Sequence, residues 1–180
     1  MSLTELDLSG NSLDSLTGLQ GCIRLQDLDV CSNAIKTLDG LQQLSGLQAL
    51  ALDGNALGSL VGLPDRLPLL LEISLRHNAL RSLDDVAARC PAVMLLDARD
   101  NPGLPADPVQ AAAPLSLLAD LRELYLRDAE EAADPGYRSR MQAALPTLQV
   151  AAGGRGSEGV VCSFWAAVLI ADPANAGPRW

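Results

Sequence analysis

Five asparagines recur along this chain at almost constant intervals. Asn11, Asn33, Asn55, Asn78 and Asn101 are separated by 22, 22, 23 and 23 residues. Each closes the same pattern. The first copy reads Leu3-Thr-Glu-Leu6-Asp-Leu8-Ser-Gly-Asn11-Ser-Leu13, and the second and third place Leu25, Leu28, Val30, Asn33, Ile35 and Leu47, Leu50, Leu52, Asn55, Leu57 at the same offsets. Fourth and fifth copies occupy residues 70–80 and 93–103. In a strand, side chains alternate between two faces. The spaced apolar residues of each copy therefore point inward and the residues between them outward. A single copy cannot bury its leucines, whereas stacking on the next copy can. The chain is expected to wind into coils, each carrying one short parallel strand.

The asparagine falls where the chain leaves the strand and turns inward. Its amide both donates and accepts, so it can satisfy turn backbone groups that would each cost ~1–3 kcal/mol if buried unpaired. A second set of apolar residues follows each strand: Leu16 and Leu19, Leu38 and Leu41, Leu60 and Leu63, Leu83 and Val86. These are expected to line the opposite, convex side. A coil of this length leaves room there for 3₁₀ or single-turn segments only. A repeat of 20–29 residues with this pattern is the signature of leucine-rich repeats. The expected fold is an α/β solenoid, a right-handed leucine-rich repeat horseshoe with a parallel concave β-sheet and short 3₁₀ or irregular convex segments.

The pattern changes after the fifth asparagine. Residues 104–120 make a longer connector, with Pro105, Pro108 and Pro114; it should bulge, with a short helix near residues 115–119. A sixth strand is expected at residues 121–126, and its coil has Ala129 where an asparagine belongs. Then comes Tyr137-Arg138, Met141 and Leu145-Pro146-x-Leu148. This resembles the C-terminal capping motif of intracellular leucine-rich repeat proteins with 22-residue coils, in which a Tyr-Arg pair opens a helix and Leu-Pro-x-Leu closes the core. That class usually continues Leu-Asp-Gly and carries Gly-Asn-Pro in its last coil. Here the chain has Val150-Ala-Ala-Gly153 and Asp128-Ala129-Glu130.

Domain organisation follows. Residues 1–150 are expected to form one domain of about six coils, with the cap at 130–150. Residues 151–180 read as a Gly-rich linker and an apolar tail containing Phe164, Trp165 and Trp180, three of the five aromatic residues. Phe164 and Trp165 are candidates for docking a partner. The apolar run at 160–171 is too short to span a bilayer. Leu3 already belongs to the first strand. Three explanations compete for its missing cap: this chain is part of a longer protein, a partner covers the open edge, or the first coil is frayed; the first two together are favoured.

Composition narrows the function. The formal net charge is −9, which argues against nucleic acid and against anionic membrane surfaces. The four cysteines form no Cys-x-x-Cys pair, no Asn-x-Ser/Thr acceptor occurs, and no signal peptide is recognisable. The expected setting is reducing and cytoplasmic. The sole histidine is His77 and no Gly-x-Ser-x-Gly elbow or phosphate-binding loop is present. No catalytic residue, cofactor or metal is therefore expected.

The expected binding surface is the outward face of the strands. Coils one to three present Glu5, Asp7, Asp27, Asp29 and Asp53, with no basic residue, while coils four to six present Glu72, Arg76, Asp97, Arg99, Arg122, Tyr125 and Arg127. Tyr and Arg are the residue types in which binding energy concentrates; acidic residues act more on association rate and partner choice. The expected partner is a protein offering a basic or helical element. Residues 3–150 resemble the intracellular 22-residue class, which includes a phosphatase regulatory subunit, a ciliary dynein light chain, tubulin cofactors and many axonemal components. That resemblance implies a scaffold in a cytoskeletal or ciliary (axonemal) assembly, with tubulin, dynein or axonemal proteins as partners. The alternative it implies is a regulatory subunit of a protein phosphatase. A nuclear histone-binding role fits less well, because the chain lacks a long acidic tail.

Overall fold

The computed structural model describes residues 3–127 and 135–149. Six three-residue strands form one parallel sheet in sequential order: β1 (Glu5–Asp7), β2 (Asp27–Asp29), β3 (Ala49–Ala51), β4 (Glu72–Ser74), β5 (Leu95–Asp97) and β6 (Glu123–Tyr125). The register repeats without slippage, Leu6 against Leu28, Leu28 against Leu50, Leu50 against Ile73, Ile73 against Leu96 and Leu96 against Leu124. These central residues point into one continuous core, shared with the convex leucines Leu16, Leu38, Leu41, Leu60, Leu63 and Leu83. Every strand after the first is entered through a tight turn, as in Leu25 N–H to the Cys22 carbonyl and Leu47 N–H to the Leu44 carbonyl.

Each asparagine after the first holds two coils together. Asn55 donates from Nδ2 to the carbonyls of Leu52 and Asp53 in its own coil and Val30 in the previous one, at 2.9, 3.4 and 3.0 Å. Its Oδ1 accepts the Ile35 N–H of the previous coil at 3.0 Å. Asn33, Asn78 and Asn101 repeat both halves of this arrangement. The residue before each asparagine adopts a left-handed backbone, with φ of 66° at Gly10, 54° at Ser32, 65° at Gly54, 52° at His77 and 56° at Asp100. That turn aims the amide back into the coil. Only two of the five positions use glycine, so three pay a steric penalty of roughly 1 kcal/mol or more.

The convex side is as short as the coil length requires. It contains a 3₁₀ turn at Leu19–Gly21 and a six-residue helix, α1 (Asp84–Arg89). The longer connector before β6 departs from expectation. Its helix, α2, spans Pro108–Ala112 and continues as a 3₁₀ turn over Ala113–Leu117, rather than lying at 115–119. The cause is local: the Asp107 side chain accepts the Val109 N–H, and Pro108 occupies the first helical position, where its missing N–H costs nothing.

The far end of the solenoid is covered. Helix α3 (Pro135–Ala144) packs against α2 and buries Tyr137 and Met141, followed by Leu145 and Leu148. Gln149 N–H then bonds the Arg122 carbonyl at 2.8 Å, the same step that Gln48 N–H takes to Gln26 at 2.7 Å. The ladder thus runs one position beyond β6. Residues 151–180, with Phe164 and Trp165, and Ala129 lie outside the described residues.

Candidate functional site

The outward residues of the sheet fall into columns, because the strands are in register. One column runs Glu5, Asp27, Ala49, Glu72, Leu95, Glu123 and the next Asp7, Asp29, Ala51, Ser74, Asp97, Tyr125. A third, just past the strands, runs Ser9, Cys31, Asp53, Arg76, Arg99, Arg127 by the same offsets. The three columns behave differently.

The second column is mostly structural. Asp7, Asp29 and Asp97 each accept the N–H of the residue two positions on, Ser9, Cys31 and Arg99, at 2.8, 2.9 and 3.1 Å. This closes the strand's exit turn. Asp29 and Asp97 are buried at 2% and 7% exposure, so little of either carboxylate reaches solvent. Coil four has Ser74 at this position, too short for the task. Asp53 of the preceding coil takes over: its Oδ1 accepts the Arg76 N–H at 2.9 Å and the Ser74 hydroxyl at 2.5 Å. Burial pushes the Asp53 carboxyl above its ordinary range, and these hydrogen bonds only partly oppose it.

The third column carries the arginines, and they are engaged. Arg76 Nε lies 2.8 Å from Asp100, Arg99 Nη2 lies 2.5 Å from Asp97, and Arg127 Nη2 donates to the Pro105 and Ala106 carbonyls at 2.9 and 2.8 Å. Arg99 also stacks 5.3 Å from the centre of the Tyr125 ring. The Tyr125 hydroxyl donates to Glu123 at 3.0 Å. Burial, that hydrogen bond and the charges of Glu123 and Asp97 push the phenol up to about 12, with Arg99 partly offsetting them. Tyr125, Glu123, Asp97 and Arg99 therefore form one tied cluster.

The first column differs from both. Among the described residues, Glu5, Asp27, Glu72 and Glu123 form no ion pair. Asp27 is raised above the ordinary carboxylate range by burial and then by the charge of Glu5; Glu72 is raised by burial and then by Glu123 and Asp27. These carboxylates repel one another across a partly desolvated strip interrupted by Ala49 and Leu95. The spacing of Glu5, Asp27 and Glu72 was legible in the sequence, as were their signs. The division of labour between columns was not, because it depends on which carboxylates close turns.

Among the described residues, no group of three or more His, Cys, Asp or Glu side chains could hold a metal ion. No described helix is long and apolar enough to cross a membrane. Cys31, although outward in sequence pattern, is buried at 1% exposure, and Cys90 is buried with its thiol pushed up to about 12 by desolvation.

A parallel strand per coil, a leucine core and an asparagine ladder define a leucine-rich repeat solenoid. The comparisons agree: residues 1–57 match the Leucine rich repeat family model. Among solved structures, the chain is similar to an internalin of Listeria monocytogenes (20% identity, TM-score 0.58, 82% of this chain and 46% of that one). It is similar to a leucine-rich repeat protein of Leptospira interrogans (21%, 0.55, 82% and 48%). A third is the plant peptide hormone receptor RGFR1, solved in complex with RGF2 (23%, 0.50, 69% and 20%). The chain thus spans under half the length of each of these proteins, and at such identities the likeness shows the fold. No curated protein sequence matches the chain.

Proposed function

We propose that this protein is a non-catalytic interaction scaffold whose concave face receives a basic element of a protein partner along the Glu5–Asp27–Glu72 column. The supporting observation is that, among the described residues, these carboxylates form no ion pair while their neighbours Asp29, Asp53 and Asp97 are committed to the backbone. A cationic group placed over the column relieves both the repulsion and the desolvation. Partner residues nearer β5 and β6 meet Leu95, Arg122 and the Tyr125–Arg99 pair, which provide apolar and planar contact area. Arg76 and Arg127 act mainly by fixing the rim.

The test is charge reversal of the free column in the full chain. Binding of an arginine-rich helical peptide is expected to weaken at least tenfold in the triple variant Glu5→Lys, Asp27→Lys, Glu72→Lys, more so at low than at high salt. Unchanged affinity would refute the site. The finer reading, a structural component of a cytoskeletal or axonemal assembly, rests on the resemblance of residues 3–150 to the intracellular 22-residue class. It expects tubulin or dynein among co-purifying proteins. Phosphatase activity in the same fraction would move the reading to a regulatory subunit.

A further inference from the structure

The strand-entry rim of the sheet changes character in coils four and five. The residue just before each strand runs Thr4, Gln26, Gln48, Leu71, Met94, Arg122. The residue two positions earlier, from coil two onward, runs Arg24, Gly46, Leu69, Ala92, Asp120. Polar or small side chains thus give way to Leu69, Leu71 and Met94, and polar ones return at Asp120 and Arg122. Leu69 and Leu71 are 51% and 39% exposed, on either side of the fully buried Leu70. They add nothing to the core, and neighbouring exposed apolar side chains of this kind mark a contact surface. Beside Leu69 the rim opens into a groove of about 300 Å³ lined by Thr4, Arg24, Gln26, Gly46, Gln48 and Leu69. That groove suits an aromatic ring: Leu69 offers an apolar wall and Arg24 a cation for the ring face.

We propose that this rim is the docking site of residues 160–171 of the same chain, with the Phe164–Trp165 pair at the groove. Three observations select that occupant. The first is where the chain leaves the described residues. Gln149 N–H bonds the Arg122 carbonyl, Arg122 N–H the Met94 carbonyl, Met94 N–H the Leu71 carbonyl and Leu71 N–H the Gln48 carbonyl, at 2.8, 2.9, 2.8 and 2.8 Å. Gln149 therefore ends the same row that carries the apolar patch. With strands about 4.8 Å apart, three steps set it about 14 Å from Leu71.

The second observation is length. Ten residues, 150–159, join Gln149 to the apolar segment, and ten residues reach up to about 33 Å. The third is chemistry. Residues 160–171 carry no charged side chain and hold two of the five aromatic residues of the chain, which matches an uncharged rim and its groove. A segment tethered this closely stands at a millimolar effective concentration, which a separate protein has to exceed. The rim lies one residue ahead of the acidic column and uses different side chains, so docking is tested apart from the proposed function.

The two tryptophans of the chain are Trp165 and Trp180, so tryptophan emission reports on this segment directly. In the full chain carrying Trp180→Phe, Trp165 is expected to emit at shorter wavelength than in urea, with acrylamide quenching weakened roughly threefold. The double variant Leu69→Arg, Leu71→Gln gives coil four the residues that coil two carries as Arg24 and Gln26. It preserves the fold, checked by circular dichroism, and should return quenching to the level in urea. Val61→Asp, at a 59% exposed apolar residue of the convex side, should leave quenching weak. Native quenching equal to that in urea would overturn the proposal and leave the rim to another protein. Protection that survives the double variant would overturn it by placing the segment elsewhere. Protection lost on dilution would assign the rim to the segment of a second copy instead.

Discussion

At the scale of single residues, the asparagine amide carries the most structural weight per atom. Asn55 makes four hydrogen bonds, two of them to the neighbouring coil. Replacing it with leucine leaves the carbonyls and the Ile35 N–H without partners in a poorly hydrated turn. Asn55→Leu should therefore cost ~3 kcal/mol or more, seen as a fall in midpoint of roughly 6–12 °C. Asn11→Leu is the internal comparison. Its two bonds are local and exposed, and water can replace them, so the cost should stay within ~1 kcal/mol. Equal costs at the two sites would show that the ladder between coils contributes nothing. Tyr125 makes a second prediction at this scale. With its phenol pushed up to about 12, Tyr125→Phe should leave the phenolate absorbance at pH 11 nearly unchanged. Loss of about half of that signal would place the ring in ordinary solvent.

The coil is the next scale, and what the sequence could convey about it depends on how local the cause is. Strand positions, inward leucines and the ladder were legible because each arises from residues at fixed offsets. The start of α2 is legible in principle too, since Asp107-Pro108 is a cap followed by a first-turn proline, but Leu115, Leu117 and Leu118 carry the stronger apolar signal further along. The burial of Asp29, Asp97 and Cys31 was not legible. It arises from neighbours 22 or more residues away that crowd the concave side of a curved sheet. The replacement of a missing turn carboxylate at Ser74 by Asp53 is of the same kind. Convex glycines show how tightly coils approach. Gly40 has φ of 116°, and a Cβ there would stand 2.2 Å from the Leu16 carbonyl oxygen of the preceding coil. Gly18 has nearly the same backbone, φ 114°, with nothing within 4 Å. Both substitutions to alanine incur backbone strain of ~1–3 kcal/mol, and Gly40→Ala should add a clash of similar size. Urea unfolding should rank Gly40→Ala clearly below Gly18→Ala; the reverse order would contradict the coil packing.

Across the whole molecule, three carboxylates of the concave face link stability to pH with an unusual sign. Asp27, Asp53 and Glu72 are raised above the ordinary values of 3.8, 3.8 and 4.5, each chiefly by burial. The folded state therefore holds these protons more tightly than the unfolded chain does. Folding is favoured most when all three are protonated, below their ordinary values, and that contribution is lost as pH rises through the raised ones. Asp7 works oppositely: hydrogen bonds from Ser9 lower it, so its contribution disappears as pH falls below about 3.8. So far as these three groups decide it, stability should thus be higher near pH 4.5, the ordinary value of Glu72, than at pH 7.5. The pair Asp27→Asn and Glu72→Gln should flatten that dependence and raise the midpoint at pH 7.5, by on the order of 1–2 °C per site once solvent screening is allowed for. The same pair should weaken capture of a basic peptide. Under the proposed function that opposition has a reason: the charges that destabilise the free scaffold are those a basic partner would neutralise, and binding would recover the difference. Calorimetry at both pH values, with and without the arginine-rich peptide, measures the two effects together. A midpoint lower near pH 4.5 than at pH 7.5 would mean that the column is not desolvated and that the coupling is absent.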